Sequence, residues 1–379
     1  MASRTLLIPA AEAAGRLGVR VQTLYSYVSR GLVRTKPHAG DPRARLYMAA
    51  DIDALAARRQ RARRPSTAAA TALDWGLPVL ETSLSSIADG HLCFRNVDAV
   101  TFAATASLEE TAALLWGVSV TDFPQGRALP IAKAARATDR AIARLALLLP
   151  DEGPGLAGGI AIARASALVR RLAEAAAGAP LPDGPMHVAL AGAWKKPGTA
   201  DTIRRALVLS ADHELNASSF AVRVVASTGA SMANCMIAGL AALSGPIHGG
   251  ASERVAMFLE EVTRAASPAS AVAARLARGE SIPGFGHVLY AQGDPRAIAL
   301  LAAAGGAANS QPLCRAVEEA TGLRPNIDFA LAALERGLGL PRGAALALFA
   351  IGRSVGWIAH AFEQQSTGQL IRPRARYVG

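Results

Sequence analysis

Helical periodicity dominates the pattern of apolar and polar positions from residue 68 onward. Ala and Leu supply much of the apolar content, and both residues favour helix. Glycine and proline interrupt the pattern at residues 76–78, 153–155 and 178–180. A small hairpin is expected at residues 81–94, but strands and helices do not alternate along the chain. The pattern therefore predicts an all-α protein and argues against a nucleotide-binding α/β domain.

The first 64 residues have a different pattern. Two short helices are predicted at residues 10–17 and 21–30. A turn between short extended pieces follows at residues 34–47, where prolines and a glycine cluster. A third helix, at residues 51–64, ends in a run of arginines. This segment is predicted to be a separate module.

Charge also separates this module from the rest of the chain. The net charge is +11, and residues 1–64 contain 13 Lys and Arg against four Asp and Glu. The remaining residues contain 27 basic against 25 acidic side chains, which is almost balanced. A basic appended segment is typical of a partner with negative charge, and nucleic acid is the obvious candidate.

Residues 10–33, AAEAAGRLGVRVQTLYSYVSRGLV, and residues 43–55, RARLYMAADIDAL, resemble the winged helix-turn-helix module of the MerR and excisionase type. In that family the second helix enters the major groove and the wing contacts phosphate. The resemblance implies DNA contacts by Arg20, Gln22, Thr23, Ser26, Arg30, Arg43 and Arg45. An alternative is that the module only packs against the enzyme or aids assembly, since charge alone does not separate the two roles.

The sequence favours a protein of the cytoplasm without a membrane span. The three cysteines are far apart and form neither a disulfide framework nor a zinc motif, which suits a reducing compartment. No signal peptide is expected at residues 1–7. Residues 224–243 carry no charge and are long enough to cross a bilayer. Their small residues instead predict a buried helix at a core or subunit interface.

Three histidines lie in unusual local contexts. These are His213, His248 and His287, in the segments ADHELNAS, GPIHGGASE and IPGFGHVLY. Glycines flank the last two, and glycine lets a ligand come close to the backbone. A single histidine beside glycine is more often a turn or core residue than a catalyst. A site therefore requires that the three segments converge in the fold.

Charged residues in apolar surroundings add a second set of candidates. Arg353 lies in a strongly apolar helix and needs a carboxylate partner, from a substrate or from the chain itself, such as Glu363. Asp328, in PNIDF, has apolar neighbours that can raise its pKa and make it a useful base. A helix N-cap is the competing role for Asp328. Two further cations are Arg296, in DPRA, and Arg372, in LIRPR.

Six segments occur in the order and at the spacing typical of one enzyme family. They are ADHELNASSFAVRVVAST, GPIHGGASE, IPGFGHVLYAQGDPRA, PNIDF, FAIGRSVGWIAHAFEQ and LIRPR. Together they resemble citrate synthase over about residues 70–379. The resemblance implies a large helical domain of residues 65–249 and 339–379, a small helical domain of residues 250–338 and a cleft between them. It also implies a homodimer with shared active sites.

The resemblance carries roles over to individual residues. Asp328 matches the base that removes a methyl proton from acetyl-CoA, and His248 matches the group that stabilises the enol. His287 matches the residue that polarises the carbonyl of oxaloacetate. The implied substrate ligands are His213, Arg296 and Arg353, with Arg372 supplied by the partner subunit. The implied products are citrate and CoA, and neither a metal nor a cofactor besides the acyl-CoA substrate is expected.

The sequence also departs from the family pattern. Ala291 stands where many relatives have a basic residue for a CoA phosphate, and Lys195 or Lys196 is an alternative ligand. The family's GGANE is GGASE at residues 249–253, and NVDFYS is NIDFAL at residues 326–331. 2-Methylcitrate synthase, which uses propionyl-CoA, stays open because one methylene changes pocket fit by only about 1–3 kcal/mol. A DNA-binding regulator with a sensor body of this family is the third alternative.

Overall fold

The computed structural model describes most of the chain beyond residue 80 and parts of the segment before it. The described residues are 7–17, 19, 23–24, 27–28, 33–38, 41–49, 51–53, 55, 80–125, 129–134, 136–149, 159–305, 310–375 and 377. Contacts between Cα atoms divide the chain into two compact units. One comprises residues 1–81 with 374–379, and the other comprises residues 82–373.

The described part of the first unit includes a small antiparallel sheet and a helix. Its described elements are β1 (Leu7–Pro9), α1 (Ala10–Leu17), β2 (Thr35–His38) and β3 (Asp41–Met48), and the strand order is β1-β3-β2. The helix predicted at residues 10–17 is therefore confirmed, and the extended pieces within residues 34–47 pair as β2 and β3. Apolar side chains from these elements and from residues outside them share one core: Ile8, Ala13, Ala14, Leu17, Leu24, Val33, Tyr47, Ala49 and Ile52. The DNA-binding family of this module stays a prediction.

The second unit opens with three short strands. They are β4 (Ser85–Ala88), β5 (His91–Phe94) and β6 (Val97–Asp98), paired antiparallel in that order. Asp89 and Gly90 both have positive φ, of 51° and 80°, as a tight two-residue hairpin turn requires. The hairpin predicted at residues 81–94 is confirmed.

Helices make up most of the second unit, which confirms the predicted all-α class. The described helices are α2 (Ala99–Ala103), α3 (Leu108–Trp116), α4 (Ala137–Ala146), α5 (Gly159–Ala177), α6 (Met186–Ala193), α7 (Ala200–Leu209), α8 (Ala217–Ala226), α9 (Met232–Leu243), α10 (Gly250–Arg264), α11 (Pro268–Ala277), α12 (Pro295–Ala304), α13 (Gln311–Thr321), α14 (Ile327–Gly337) and α15 (Ala344–Thr367). The last of these is central and packs against α3, α5, α7, α8, α9 and α14.

Helix α15 approaches the end of α7 very closely. A Cβ added to Gly356 would lie 2.2 Å from the carbonyl oxygen of Ala211 and 2.9 Å from a carboxylate oxygen of Asp212. Only glycine therefore permits this contact. The close approach brings Arg353, one turn earlier on α15, against the segment that contains Asp212 and His213.

The described part of residues 82–373 contains two apolar clusters. The larger one surrounds α15, and the smaller one draws its buried residues from positions 255–333 on and between α10, α11, α13 and α14. Helix α14 contributes to both, with Leu331 in the larger cluster and Phe329 in the smaller. Contacts between Cα atoms keep residues 82–373 in one unit, and the subdivision into large and small domains stays a prediction.

The apolar stretch at residues 224–243 is not one continuous helix. Helix α8 ends at Ala226, and α9 begins at Met232 with the hydroxyl of Ser231 as its N-cap. One described helix, α15, is long and apolar enough to cross a bilayer, but 94% of its most apolar window is buried inside the protein. A buried core helix explains that composition equally well.

Candidate active site

A backbone pairing joins two of the glycine- and proline-containing motifs. The N–H of Gly286 donates to the carbonyl of Arg324 at 2.8 Å, and the N–H of Asn326 donates to the carbonyl of Gly284 at 2.9 Å. Gly284 has φ of +82°, and an added Cβ would lie 2.9 Å from the Cβ of Phe329. This glycine lets the loop that ends at His287 pass directly over the start of α14.

Asp328 lies in the first turn of α14, and its carboxylate does not cap this helix. The N-cap is Asn326, whose Oδ1 accepts from the N–H of Asp328 at 3.1 Å, so the N-cap role considered for Asp328 is wrong. Asp328 Oδ1 instead accepts from the hydroxyl of Ser252 at 3.2 Å. Burial raises the pKa of Asp328, although the Ser252 hydroxyl and the charge of Arg296 act in the opposite direction. A carboxylate with a raised pKa suits a general base.

His248 stands just before α10, one helical turn ahead of Ser252. Its Nε2 lies 3.0 Å from the hydroxyl of Ser218, the second residue of α8. Its ring meets the ring of Phe349 edge-on, with centroids 6.1 Å apart. Burial and then the positive charge of Arg353 lower the pKa of His248 to about 4. The imidazole is therefore neutral near pH 7.

His213, His287 and Tyr290 form a cluster of rings. The centroids of the two histidines are 5.1 Å apart, and Tyr290 lies 5.6 Å from His213 and 4.9 Å from His287. His213 Nε2 lies 2.9 Å from the Tyr290 hydroxyl. Burial, followed by the charge of Arg296, lowers the pKa of both histidines, that of His213 well below its ordinary value. Both rings are neutral near pH 7.

Arg296 has a carboxylate partner within its own chain. Its Nε and Nη2 donate to the two oxygens of Asp294 at 2.9 and 2.8 Å, and both side chains are buried. Asp294 also accepts from the N–H of Ile327 at 3.0 Å, which ties this pair to the start of α14. The pairing with Asp294 was not predicted from the sequence. It leaves Nη1 of Arg296 for another acceptor.

Arg353 is 1% exposed and has no carboxylate partner among the residues that the structure describes. Its Nε donates to the carbonyl of Ser210 at 2.8 Å, and its guanidinium lies 4.8 Å from the ring of Phe349. Its Nη1 is buried without a hydrogen bond. Burial lowers the pKa of Arg353 to about 10. Glu363 pairs with Arg223 at 2.5 Å, so the proposed internal pair of Arg353 and Glu363 is wrong.

A buried polar network beside the histidine cluster escaped the sequence interpretation. Asp212 accepts from the Ser85 hydroxyl at 2.5 Å and lies 3.1 Å from His360 Nε2. Both Asp212 and His360 are completely buried. Burial acts to raise the pKa of Asp212, but His360 and Arg353 outweigh it and the net pKa falls. The one feature of the sequence that points to this network is that Asp212 directly precedes His213.

The remaining predicted residues lie outside this cluster. Arg372 is exposed, and so are Ala291, Lys195 and Lys196. In the first unit, Thr23 has helical backbone, and Arg45 is exposed on β3 with Nη1 donating to the Thr35 hydroxyl at 3.1 Å. Four of the predicted DNA contacts lie outside the described residues: Arg20, Gln22, Ser26 and Arg30. For Arg43 the structure describes the backbone on β3 but not the side chain.

The site combines a carboxylate with a raised pKa, three neutral imidazoles and two buried guanidinium groups. Mutual electrostatic effects link them, since the charge of Arg353 acts on His248 and His213, and the charge of Arg296 acts on Asp328 and His287. Such an arrangement can remove a proton from a weak carbon acid and bind a dicarboxylate. A separate cavity of about 1260 Å³, bordered by α3, α5, α8 and α15, contains none of these residues. The described residues contain no group of three potential metal ligands.

Comparison with known proteins places this site in a family. The profile described as citrate synthase, C-terminal domain, matches residues 160–374, more than half of the chain. The citrate synthase of Haloferax volcanii is 40% identical over 191 residues, 48% of this chain and 50% of that protein. The 2-methylcitrate synthase of Shewanella oneidensis is 37% identical over 183 residues, 46% of this chain and 49% of that protein. The chain thus spans about half the length of the curated relatives it matches.

Structural similarity extends further along the chain. The ternary complex of citrate synthase from Thermoplasma acidophilum with carboxymethyl coenzyme A and oxaloacetate superposes with a TM-score of 0.65 at 25% identity. The superposition covers 80% of this chain and 94% of that one.

Proposed function

Since the chain belongs to the citrate synthase family, we propose that it condenses acetyl-CoA with oxaloacetate and water to give citrate and CoA. The observation that carries the proposal is the state of Arg353. This guanidinium is buried, yet none of the described carboxylates pairs with it and its Nη1 makes no hydrogen bond. A buried cation without a directly paired carboxylate is costly, and a dianionic substrate such as oxaloacetate supplies that carboxylate.

The first step of the proposed reaction removes a proton from the methyl group of acetyl-CoA. Asp328 takes this proton, and the electron pair of the C–H bond forms a C=C bond as the thioester C=O pair moves onto oxygen. The methyl group is a very weak acid, so charge must be stabilised at that oxygen as it develops. An N–H of neutral His248 serves as the donor.

The second step joins the two substrates. The new nucleophilic carbon attacks the ketone carbon of oxaloacetate, and the charge that builds on the ketone oxygen is met by an N–H of His287. That oxygen takes up a proton and becomes the hydroxyl group of the intermediate, which balances the proton that Asp328 removed and later releases. Arg353 and the remaining N–H of Arg296 hold the carboxylates, with His213 beside them. Water then adds to the thioester carbon of the intermediate, the C–S bond breaks, and CoA leaves as its thiol.

Release of CoA thiol from acetyl-CoA plus oxaloacetate tests this proposal directly. We expect release that requires both substrates and falls about 10³-fold in Asp328→Asn, since a positioned base contributes about 10²–10⁴-fold. Oxaloacetate binding should be unchanged in this variant because Asp328 is not a ligand of oxaloacetate. Full turnover by Asp328→Asn would refute the role of the base.

Propionyl-CoA is the alternative acyl donor, with 2-methylcitrate as product. The similarity to the 2-methylcitrate synthase of Shewanella oneidensis is the observation that supports this alternative. The ratio of kcat/KM for acetyl-CoA and propionyl-CoA decides between them, and a ratio above one for propionyl-CoA would overturn the first assignment.

We also propose a homodimer in which Arg372 completes the site of the partner subunit. Arg372 is exposed and lies in irregular chain after α15, which suits a contact with another copy. Mixing the inactive variants Asp328→Asn and Arg372→Ala should restore part of the activity if the sites are shared, because one hybrid site then contains both native residues. No restoration would refute sharing.

The basic module of residues 1–64 is proposed to bind DNA, in an enzyme or a regulator of the cytoplasm. The support is its excess of 13 basic over four acidic residues and the exposed Lys36 and Arg45 on the β2–β3 hairpin. Binding of duplex DNA by the full chain should weaken steeply as salt rises. If the chain retains duplex DNA equally at low and high salt, or does not retain it at all, a role of the module in packing or assembly is favoured.

A further inference from the structure

The only described hydrogen bond to the carboxylate of Asp328 comes from the hydroxyl of Ser252. The distance between Ser252 Oγ and Asp328 Oδ1 is 3.2 Å, and Ser252 is 4% exposed. Within the described residues, Asp328 Oδ2 accepts no hydrogen bond. The two oxygens of the base therefore differ, one held by the protein and the other left for a ligand.

The direction of this hydroxyl differs from that of another buried serine inside a helix. Such hydroxyls commonly donate to a carbonyl of their own helix. Ser354 does so in α15, where its Oγ donates to the carbonyl of Ile351 at 2.7 Å. The hydroxyl of Ser252 instead leaves α10 and reaches across to α14.

The turn of chain from His248 to Ser252 also carries the other reacting group. His248 lies just before α10, which begins at Gly250, and Ser252 is the third residue of that helix. One end of this turn is anchored through His248 to Ser218, and the other through Ser252 to Asp328. The turn thus sets the position of the base relative to the imidazole donor.

From this geometry we infer that Ser252 is a positioning residue that orients the carboxylate of Asp328 so that Oδ2 takes the proton from the acyl-CoA. The inference rests on the proposed function for its chemical meaning. A carboxylate held at one oxygen loses less rotational freedom when it reacts. The hydroxyl also stabilises the ionised form that acts as base.

Ser252→Ala tests this role, with Ser252→Thr as the variant that keeps the hydroxyl. A hydrogen bond to a charged group is worth about ten-fold or more in an equilibrium, so Ser252→Ala should lower kcat about ten-fold. The acid limb of the pH profile of kcat/KM should move up by about one unit, because the pKa of Asp328 rises without the donor. Oxaloacetate affinity should stay constant, and Ser252→Thr should lie within about three-fold of the native enzyme.

Ser354→Ala is the matched control, since it removes a buried hydroxyl that bonds only its own helix. We expect its pH profile to coincide with the native one. If Ser252→Ala gives the same acid limb as Ser354→Ala, whatever its kcat, Ser252 only supports packing and the inference is wrong. Failure of Ser252→Thr to restore the native profile would overturn it as well.

A titration without turnover separates this inference from the proposed function. The carboxyl ¹³C signal of Asp328, assigned with Asp328→Asn, reports its pKa in the intact chain. A pKa that is higher in Ser252→Ala than in the native protein supports the positioning role, and equal values overturn it. Absence of CoA thiol release by the native chain, with either acyl-CoA, would count against the proposed function alone.

Discussion

Replacing Arg353 by methionine shows whether this buried cation is held for a ligand or for the fold. Methionine keeps much of the volume and removes the charge. The fold loses the hydrogen bond to the carbonyl of Ser210, worth about 1.5–3 kcal/mol for a charged donor. It also loses the contact with Phe349, worth about 0.5–2 kcal/mol. Against these losses stands the removal of a desolvated charge, which costs several kcal/mol when it is buried.

These opposing contributions predict a small net effect on folding. We expect the free energy of unfolding of Arg353→Met to lie within about 1 kcal/mol of the native value, as for other buried charges replaced by apolar side chains. Oxaloacetate binding should respond far more strongly. Two charge-assisted hydrogen bonds to a carboxylate are worth about 3 kcal/mol or more together, so the Kd should rise at least about 100-fold.

Urea unfolding and calorimetric titration with oxaloacetate measure the two quantities. Arg223→Met is the matched control, because Arg223 is equally buried but pairs with Glu363 and also donates to Gln364. Breaking that pair should cost about 3–5 kcal/mol of stability, with oxaloacetate affinity unchanged. If Arg353→Met instead behaves like Arg223→Met in both measurements, Arg353 serves the fold and our reasoning fails.

Three further predictions follow from the packing and charges of the site. Gly356→Ala should lower the free energy of unfolding by about 1–3 kcal/mol in urea, because its Cβ would lie 2.2 Å from the carbonyl oxygen of Ala211. Ser218→Ala should lower kcat about ten-fold at constant oxaloacetate affinity, since His248 loses its hydrogen-bond partner. Stability should fall as the pH drops from about 6.5 to 4, because the pKa of His248 is lowered to about 4 in the folded chain and the unfolded chain takes up a proton first. His248→Asn should flatten this slope in a pH series of urea unfolding curves by up to about 1.4 kcal/mol per unit.

The predictions that the structure confirms were based on features of short sequence segments. The bounds of α1, residues 10–17, coincide with the predicted helix. The segments around His287 and Asp328 meet because Gly284 allows the backbone contacts between them, and the hydroxyl of Ser252 links the segment after His248 to Asp328. A glycine beside a histidine is visible in the sequence, and so is an aspartate between apolar residues.

The errors concern which groups pair. Glu363 lies ten residues beyond Arg353, yet its partner is Arg223, 140 residues away along the chain. Asp328 was considered as the N-cap of its helix, but Asn326, two residues earlier, takes that position. Several short polar side chains can cap one helix, and the tertiary contacts decide which of them does.

The hydrogen-bond partners of His287 and His248 bear on which ring nitrogen carries the proton. The backbone N–H of Leu289 donates to Nδ1 of His287 at 3.2 Å. Nδ1 therefore carries the lone pair, and in the neutral ring the proton resides on Nε2. His287 thus presents Nε2–H as its donor, which is the group that the proposed polarisation of oxaloacetate requires.

In the proposed reaction His248 carries its ring proton on Nδ1 rather than on Nε2. Whether it does so depends on where the hydroxyl proton of Ser218 points. The hydroxyl of Ser218 accepts from Trp357 Nε1 at 3.2 Å, so its own proton goes either to Asn216 Oδ1 at 2.7 Å or to His248 Nε2 at 3.0 Å. Asn216 Oδ1 already accepts two backbone N–H groups at the start of α8. His248 Nε2 has no other described partner, and a proton received there leaves the ring's own proton on Nδ1. The proposed reaction requires this arrangement, because it leaves Nδ1–H to donate to the thioester oxygen, and therefore we expect the loss of turnover in Ser218→Ala to come from the tautomer rather than from substrate binding.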